Sequence, residues 1–316
     1  IWGCSMNKEY LLSIDGGGSN TVFCLYDCLT GTNSFYYSGS TNYKITPDKD
    51  EREIILGGIE KVLADAKASP DQVLGLVMGM SGCDSPSDYQ HYLSIASSTQ
   101  ISEHSIYICN DSELAFYSKG TPPGLCIIAG TGSVATGVAK NRTTSRSGGW
   151  GSPISDEGSG GWLGIQVLKA LLRYCDGYEK PQPVFARLRE FFDVSSYSDL
   201  PKMLSQFAMN EIASAARPLM DFADEGDPYC LRLVEQAAGL VADIAFSVYS
   251  KLGFFSESKV DIVMAGSLYK SNTFKKAFVE AFEARAGSHN LVFHNDVELP
   301  VLGGIILAKE KFYQQT

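Results

Sequence analysis

Twice in this chain an apolar run breaks on a turn of glycines and hydroxyls, then resumes as a second apolar run. The first copy is residues 10–14 followed by Asp15, Gly16, Gly17, Gly18, Ser19, Asn20 and Thr21. The second is residues 125–129 followed by Gly130, Thr131, Gly132 and Ser133. A strand that folds back on glycine into another strand predicts a tight hairpin. This is neither the G-x-x-x-x-G-K-[ST] loop nor the dinucleotide fingerprint, whose glycines open a helix.

The segments around each hairpin extend the pattern. After a turn at Thr30-Gly31, residues 34–38 read as a third strand. Thr46-Pro47 reads as an N-cap with proline at the first helical position, opening a helix with Ile54, Ile55, Ile59, Val62, Leu63 and Ala66 at helical spacing. Residues 73–80 are almost continuously apolar, as in a strand buried on both faces. A helix near 87–97, a strand at 105–109 and a helix from Ser112 complete β-β-β-α-β-α-β-α. The order then restarts with strands at 125–129 and 133–139 and a turn toward 146–149. A helical block fills 161–253, its longest helix opened by Asp227-Pro228 and stopped by Gly253. A strand at 260–264, a helix at 272–286, a strand at 291–294 and a terminal helix at 303–312 close the chain. Two copies of one α/β topology are expected: domains at 6–120 and 121–316, the second with a helical insertion, and the terminal helix packing back on the first.

Composition bounds the partners. The 316 residues carry 26 Lys and Arg against 36 Asp and Glu, a net charge of -10. Such a chain lacks the field that steers proteins onto nucleic acid or anionic membrane, so neither is expected as a partner. No apolar stretch approaches the roughly 18–20 residues of a membrane helix. The N-terminus shows no basic segment before an apolar core, and its first five residues are set aside as a leader without structure. The 8 cysteines form no C-x-x-C pair, and Cys24, Cys109 and Cys126 sit inside apolar runs. They read as buried thiols of a reducing, cytoplasmic protein rather than as disulfides or metal ligands.

Five constellations carry chemistry. The first glycine turn can aim successive N–H groups at a phosphate, with Ser19 and Thr21 adding hydroxyls and Asp15 holding Mg²⁺ through water. Alone, it reads equally well as a β-turn with a capping Asp. The matching turn at Gly130–Ser133 changes that balance, because two such hairpins can cradle the two ends of a triphosphate from opposite domains. Asp111 follows a strand and precedes a helix, the place for a base acting on a hydroxyl, although an Asp there also suits a helix cap. Residues 148–160 crowd glycines around Trp150, Asp156 and Glu157. Trp offers a flat face to a sugar ring, and Asp accepts from vicinal hydroxyls. Ala265-Gly266-Ser267, after a strand, suits close approach of a nucleoside.

From Tyr10 to Lys311 these segments resemble the N-acetylglucosamine kinases. Those lie within the activator-type ATPases of benzoyl-CoA reductase and 2-hydroxyglutaryl-CoA dehydratase, in the actin-like ATPase and hexokinase superfamily. The most specific pieces are Asp15–Ser19, Ser40-Thr41-Asn42, Asn110-Asp111, Gly130–Ser133, Gly149-Trp150-Gly151 with Asp156-Glu157-Gly158-Ser159, and Ala265–Ser267. The resemblance implies an α/β fold of two actin-like (ribonuclease H-like) domains, each with a mixed five-stranded sheet, and a cleft between them. It implies ATP and Mg²⁺ as cofactors and a small sugar as substrate. Asp111 matches the catalytic base. Asp15, Gly17, Gly18, Ser19, Gly130, Thr131, Gly132, Gly266, Ser267 and Ser271 match nucleotide positions. Asn42, Ser81, Asp111, Ser133, Val134, Gly149, Trp150, Gly151 and Asp156 match sugar positions. Tyr43-Lys44, Val134 and Cys83 depart from the family pattern.

The reaction so implied is ATP-dependent phosphorylation of N-acetylglucosamine at its 6-hydroxyl, with a homodimer as the assembly. Asn42 would face the acetamido group, and Lys44 beside it would repel the ammonium of an unacetylated sugar. Glucosamine or another amino sugar is the nearest alternative. An activator ATPase would place paired cysteines on a shared cluster, and these cysteines are scattered. A sugar-responsive regulator would carry a DNA-binding module before the fold, and nine residues precede the first strand.

Overall fold

A computed structural model gives the structure of the chain and describes residues 9–313 apart from 19, 45–46, 195, 197–198, 289, 296 and 298. The chain divides into two units, Ile1–Thr121 with Val297–Thr316, and Pro122–Asp296.

The first unit begins with β1 (Tyr10–Gly16), β2 (Thr21–Asp27) and β3 (Asn33–Ser38), followed by α1 (Asp48–Ala66), β4 (Val73–Met80), α2 (Pro86–Ala96), β5 (Ile106–Cys109) and α3 (Asp111–Tyr117). Its sheet runs β3-β2-β1-β4-β5, with β1 antiparallel to β2 and parallel to β4, and β4 parallel to β5. Successive side chains of a strand face opposite ways. Leu12 and Ile14 of β1 join Phe23, Ile55, Ile59, Met78 and Tyr92 in one core, under α1 and α2. The start of α1 differs from expectation. Pro47 occupies the N-cap itself, with no side-chain cap bond, and the helix begins at Asp48; Thr46 lies outside the described residues.

The second unit opens with β6 (Gly124–Ala129), β7 (Ser133–Val138) and β8 (Thr144–Gly148). Then come α4 (Gly160–Cys175), α5 (Pro183–Phe191), α6 (Leu200–Leu204), α7 (Met209–Ser214), α8 (Ala216–Asp224) and α9 (Pro228–Lys251). It ends with β9 (Val260–Ala265), α10 (Asn272–Ala286) and β10 (Leu291–His294). The sheet order β10-β9-β6-β7-β8 has the connectivity of the first sheet, with β6 antiparallel to β7 and parallel to β9. The duplication read from the hairpins is therefore the architecture. Asp227 caps α9 by accepting from the N–H groups of Tyr229 and Cys230, with Pro228 at the first position. Fully buried alanines at 237, 238, 242 and 245 let this helix pack closely on the sheet and on α10. Phe274, Phe278 and Phe282 form the stripe α10 buries. Truncating any one to Ala costs about 3–5 kcal/mol.

The last helix, α11 (Pro300–Ala308), packs on α3, β1 and β4 within the first unit. The terminal helix packs back on the first unit as expected, and the expected span of 121–316 for the second unit is shortened to end before Val297. Apolar attraction and close approach explain the return. Methyls on Gly303 and Gly304 would collide with the Leu114 carbonyl oxygen and with Ser13 Oγ, so only glycines let the helix lie this near. The helix also starts earlier than its apolar pattern predicts, at Pro300, and gives way at Lys309–Tyr313 to a π-helical turn. The Nζ atoms of Lys309 and Lys311 stand 3.6 and 3.7 Å from the ring centres of Tyr26 and Tyr107. No helix among the described residues is long and apolar enough to cross a membrane.

Candidate functional site

In the first unit the parallel strands β1, β4 and β5 end together. Gly16 O accepts from Ser81 N at 2.7 Å, and Gly17 O accepts from Thr41 N at 3.3 Å, so the β1 turn, the end of β4 and the segment after β3 meet. Gly17 N closes the turn on Asn20 O at 2.9 Å. Thr21 and Thr41 share a buried hydroxyl bond of 2.8 Å beneath it. Gly18 is exposed at the tip, and Ser19 lies outside the described residues.

Asp15 and Asp111 are acids whose charges meet at this end. Burial first, and the charge of Asp111 second, push the Asp15 carboxyl up to about 7. Asp111 is the first residue of α3, and the capping role considered for it belongs to Asn110, whose side chain accepts from Ser112 N.

Asn42 Nδ2 donates to Ser81 Oγ at 3.4 Å, and Asn42 Oδ1 accepts from Lys44 N at 3.1 Å. Lys44 Nζ lies 3.2 Å from Asp84 and 3.4 Å from Asp88. Its charge is already matched, which removes the argument that Lys44 repels a sugar ammonium. Burial alone would raise the Asp88 carboxyl. Bonds from the Tyr43 hydroxyl, Asp84 N and Ser85, with the Lys44 charge, instead hold it well below the usual carboxylate range. Tyr43, bonded to Asp88, is pushed up to about 12.

In the second unit Gly130 N bonds Gly132 O at 2.9 Å to close the hairpin. The first turn of α4 then docks on it, Gly160 N donating to Gly130 O at 2.7 Å and Gly161 N to Thr131 O at 3.0 Å. Ser159 caps that helix. Asp156 is buried, at a φ of 66°, and accepts from Ser152 Oγ at 3.2 Å. A methyl built on Gly132 would stand 2.9 Å from Asp156 Oδ2, so the carboxylate lies against the glycine turn. Ser133 Oγ donates to Glu157 O at 2.7 Å. Val134 pairs with Gly148 across β7 and β8. The exposed Trp150, between Gly149 and Gly151, has the Arg146 guanidinium 5.5 Å from its ring centre.

Beside the same hairpin is a cavity of about 620 Å³. Gly130, Thr131 and Gly160 line one side, Ser267, Lys270 and Ser271 another, and Arg217, Asp221 and Asp224 of α8 a third. Gly266, the residue before Ser267, has a φ of 104°, with its α-carbon so close to Ala129 that a methyl would strike the Ala129 carbonyl. Ser271 Oγ donates to Asp224 Oδ1 at 2.7 Å and accepts from Phe274 N, so this hydroxyl caps α10 while lining the wall. The acids and Arg217 were missed by reading the 161–253 block only as helices. Arg217, Asp221 and Asp224 recur at i, i+4 and i+7, and that polar stripe was a usable signal.

The predicted residues thus gather into two groups. Asp15, Gly17, Asn42, Ser81 and Asp111 share one end of the first sheet. Gly130, Thr131, Gly132, Ser133, Val134, Asp156, Gly266, Ser267 and Ser271 surround the second hairpin. Residues 12–299 match the BadF/BadG/BcrA/BcrD ATPase family. The chain belongs to that family. Among its relatives is the N-acetylmuramic acid/N-acetylglucosamine kinase of Clostridium acetobutylicum, 28% identical over 233 residues, 73% of this chain and 76% of the relative. The N-acetyl-D-glucosamine kinase of Dictyostelium discoideum is 28% identical over 276 residues, 83% of this chain and 86% of the relative. The fold is similar to a crystal structure described as a candidate N-acetylglucosamine kinase from Chromobacterium violaceum. That match has a TM-score of 0.73 at 19% identity and covers 96% of this chain and 99% of the other.

Proposed function

We propose that this ATPase-family chain transfers the γ-phosphoryl of ATP to the 6-hydroxyl of N-acetylglucosamine. The observation that carries the reading is Asp111: a carboxylate at the head of α3, just past the end of a parallel strand, whose charge reaches a second acid, Asp15, on the same end of the sheet as the Asn42–Ser81 pair. The two kinases at 28% identity support the sugar.

Asp111 orients the sugar hydroxyl and accepts its proton. Asn42, Ser81 and Asp156 bind sugar polar groups, and Trp150 offers its face to the ring. Ser133, Val134, Gly149 and Gly151 are the second unit's further sugar positions. Gly17 and Gly130 use their N–H groups to close their turns, which leaves Gly18, Thr131 and Gly132 to meet phosphate oxygens. Ser267 and Ser271, with Gly266 setting the turn that leads into them, form the wall against which a nucleoside packs.

Mg²⁺ fits the acids of the first unit. A carboxyl held up by burial and by a neighbouring carboxylate gains when a divalent cation arrives, and Mg²⁺ keeps several waters and needs only one or two protein oxygens. The chemistry such an ion would supply is positive charge against the phosphates during transfer. Asp15 would hold it through water. A homodimer working in the cytoplasm on a soluble sugar completes the proposal.

The test is ADP release over N-acetylglucosamine, glucosamine, N-acetylmannosamine, N-acetylmuramic acid and glucose. N-acetylglucosamine should give the highest kcat/KM. A preference for glucosamine overturns the sugar assignment and leaves the kinase standing; no ADP release with any sugar overturns the kinase.

A further inference from the structure

We infer that Asp84 is a positioning residue that locks the sugar-binding segment to the helix carrying Asp111, an inference that rests on the kinase reading above. Its two carboxylate oxygens serve different elements. Oδ1 accepts from Asn110 Nδ2 at 3.0 Å, and Oδ2 accepts from Lys44 Nζ at 3.2 Å.

On one side the bond acts through a helix cap. Asn110 Oδ1 accepts from Ser112 N at 3.1 Å and from Ser112 Oγ at 2.6 Å. An amide has a donor end and an acceptor end. With Asp84 holding the donor, the acceptor faces the helix. Asp111 is the next residue, so the orientation of the Asn110 amide sets where the base begins. On the other side the bond acts through Lys44, whose backbone N–H holds Asn42 Oδ1 at 3.1 Å. The frame closes on itself, because Asp84 N donates to Asp88 Oδ2 at 2.8 Å and Asp88 also accepts from Lys44 Nζ and from the Tyr43 hydroxyl. Tyr43 in turn stacks on His91, ring centres 4.4 Å apart.

Magnitudes decide what this frame is for. The Lys44 side chain is 42% exposed, so its ion pairs add little to stability. Misplacing a catalytic group by about 1 Å can cost on the order of 100-fold in rate. The frame matters for geometry: one carboxylate sets the distance between the group that binds the sugar and the group that takes its proton.

Substitutions separate the two arms in the full-length chain. Asp84→Asn keeps an oxygen for Asn110 and turns an amide NH₂ toward Lys44. The sugar KM should rise about tenfold with kcat within about twofold. Lys44→Met should do the same, the double variant should be no worse than either single one, and Lys44→Arg should restore the wild-type KM. Asp84→Ala loses both arms, and kcat should fall by about tenfold as well. The ATP KM and the melting temperature should stay near wild type. The inference is overturned if Asp84→Ala leaves kcat and sugar KM unchanged. It is also overturned if the Asp84→Asn and Lys44→Met effects multiply, or if the losses fall equally on ATP KM and melting temperature, as a merely structural role would have it. A wild-type chain that phosphorylates no amino sugar fails the kinase reading and takes this inference with it; an active wild type with an indifferent Asp84→Ala fails this inference alone.

Discussion

Replacing Asp15 by Asn should make the folded chain more stable at neutral pH. Burial, and then the Asp111 charge, lift this carboxyl from an ordinary 3.8 to about 7. A carboxyl raised on folding holds its proton more tightly in the folded than in the unfolded chain. Below about pH 4 both states are protonated and the group contributes nothing. Between about pH 4 and 7 the unfolded chain releases the proton first, stability declines, and above about pH 7 the whole penalty is present. A rise of about three pH units at about 1.4 kcal/mol each is about 4 kcal/mol. Part of the side chain remains in water, and halving for that screening leaves ~2 kcal/mol. Asp15→Asn keeps the shape and removes the charge. Urea denaturation in EDTA should find the variant about 2 kcal/mol more stable than wild type at pH 8 and equal to it at pH 4. Added Mg²⁺ should narrow the gap by stabilising the wild type alone. A variant that loses stability between pH 4 and 7 as steeply as wild type refutes the reasoning.

Three further outcomes are expected. Asp111→Asn should lower kcat on the order of 100-fold or more, with ATP affinity nearly unchanged by calorimetry, because the amide keeps the shape and cannot take the proton. Thr131→Val should weaken ATP binding by roughly 1–3 kcal/mol with no change in melting temperature, since the side chain is exposed and only the Thr131 carbonyl bonds Gly161. Gly266→Ala, forced at a φ of 104° against the Ala129 carbonyl, should destabilise the second unit by about 2–4 kcal/mol, read as a clear drop in melting temperature.

What could be read from the chain was what local chemistry dictates. A glycine turn between apolar runs has few solutions, so both hairpins and the duplicated sheet were legible. Asp227-Pro228 marked its helix for the same reason. Features that depend on which distant residues meet were not legible. Lys44 looked like an unmatched cation because its partners, Asp84 and Asp88, lie some forty residues further along. Asn110 and Asp111 are both good caps, and only the backbone entering α3 shows that the first takes the role. Nothing local showed that Ser271, expected as a nucleoside contact, also donates a hydrogen bond to Asp224, from a helix read only as insertion. Pro47 fell one place from its predicted position because a proline suits either side of a helix start.

The return of the chain at Val297 has a consequence for how the protein is made. On a ribosome the first unit's five strands emerge before any of the second unit, but the helix that covers β1 and β4 follows only after residues 122–296. Leu11, Val77 and Leu114, fully buried in the finished protein, must stay wet or be shielded through the synthesis of all of residues 122–296. The usual N-terminal-first order is reversed: the unit begun second has every strand in hand while the unit begun first still lacks its lid. Cutting the chain ahead of Val297 therefore spares all five strands of the first unit and still damages it. The cut takes out part of the earliest-made sheet's own core.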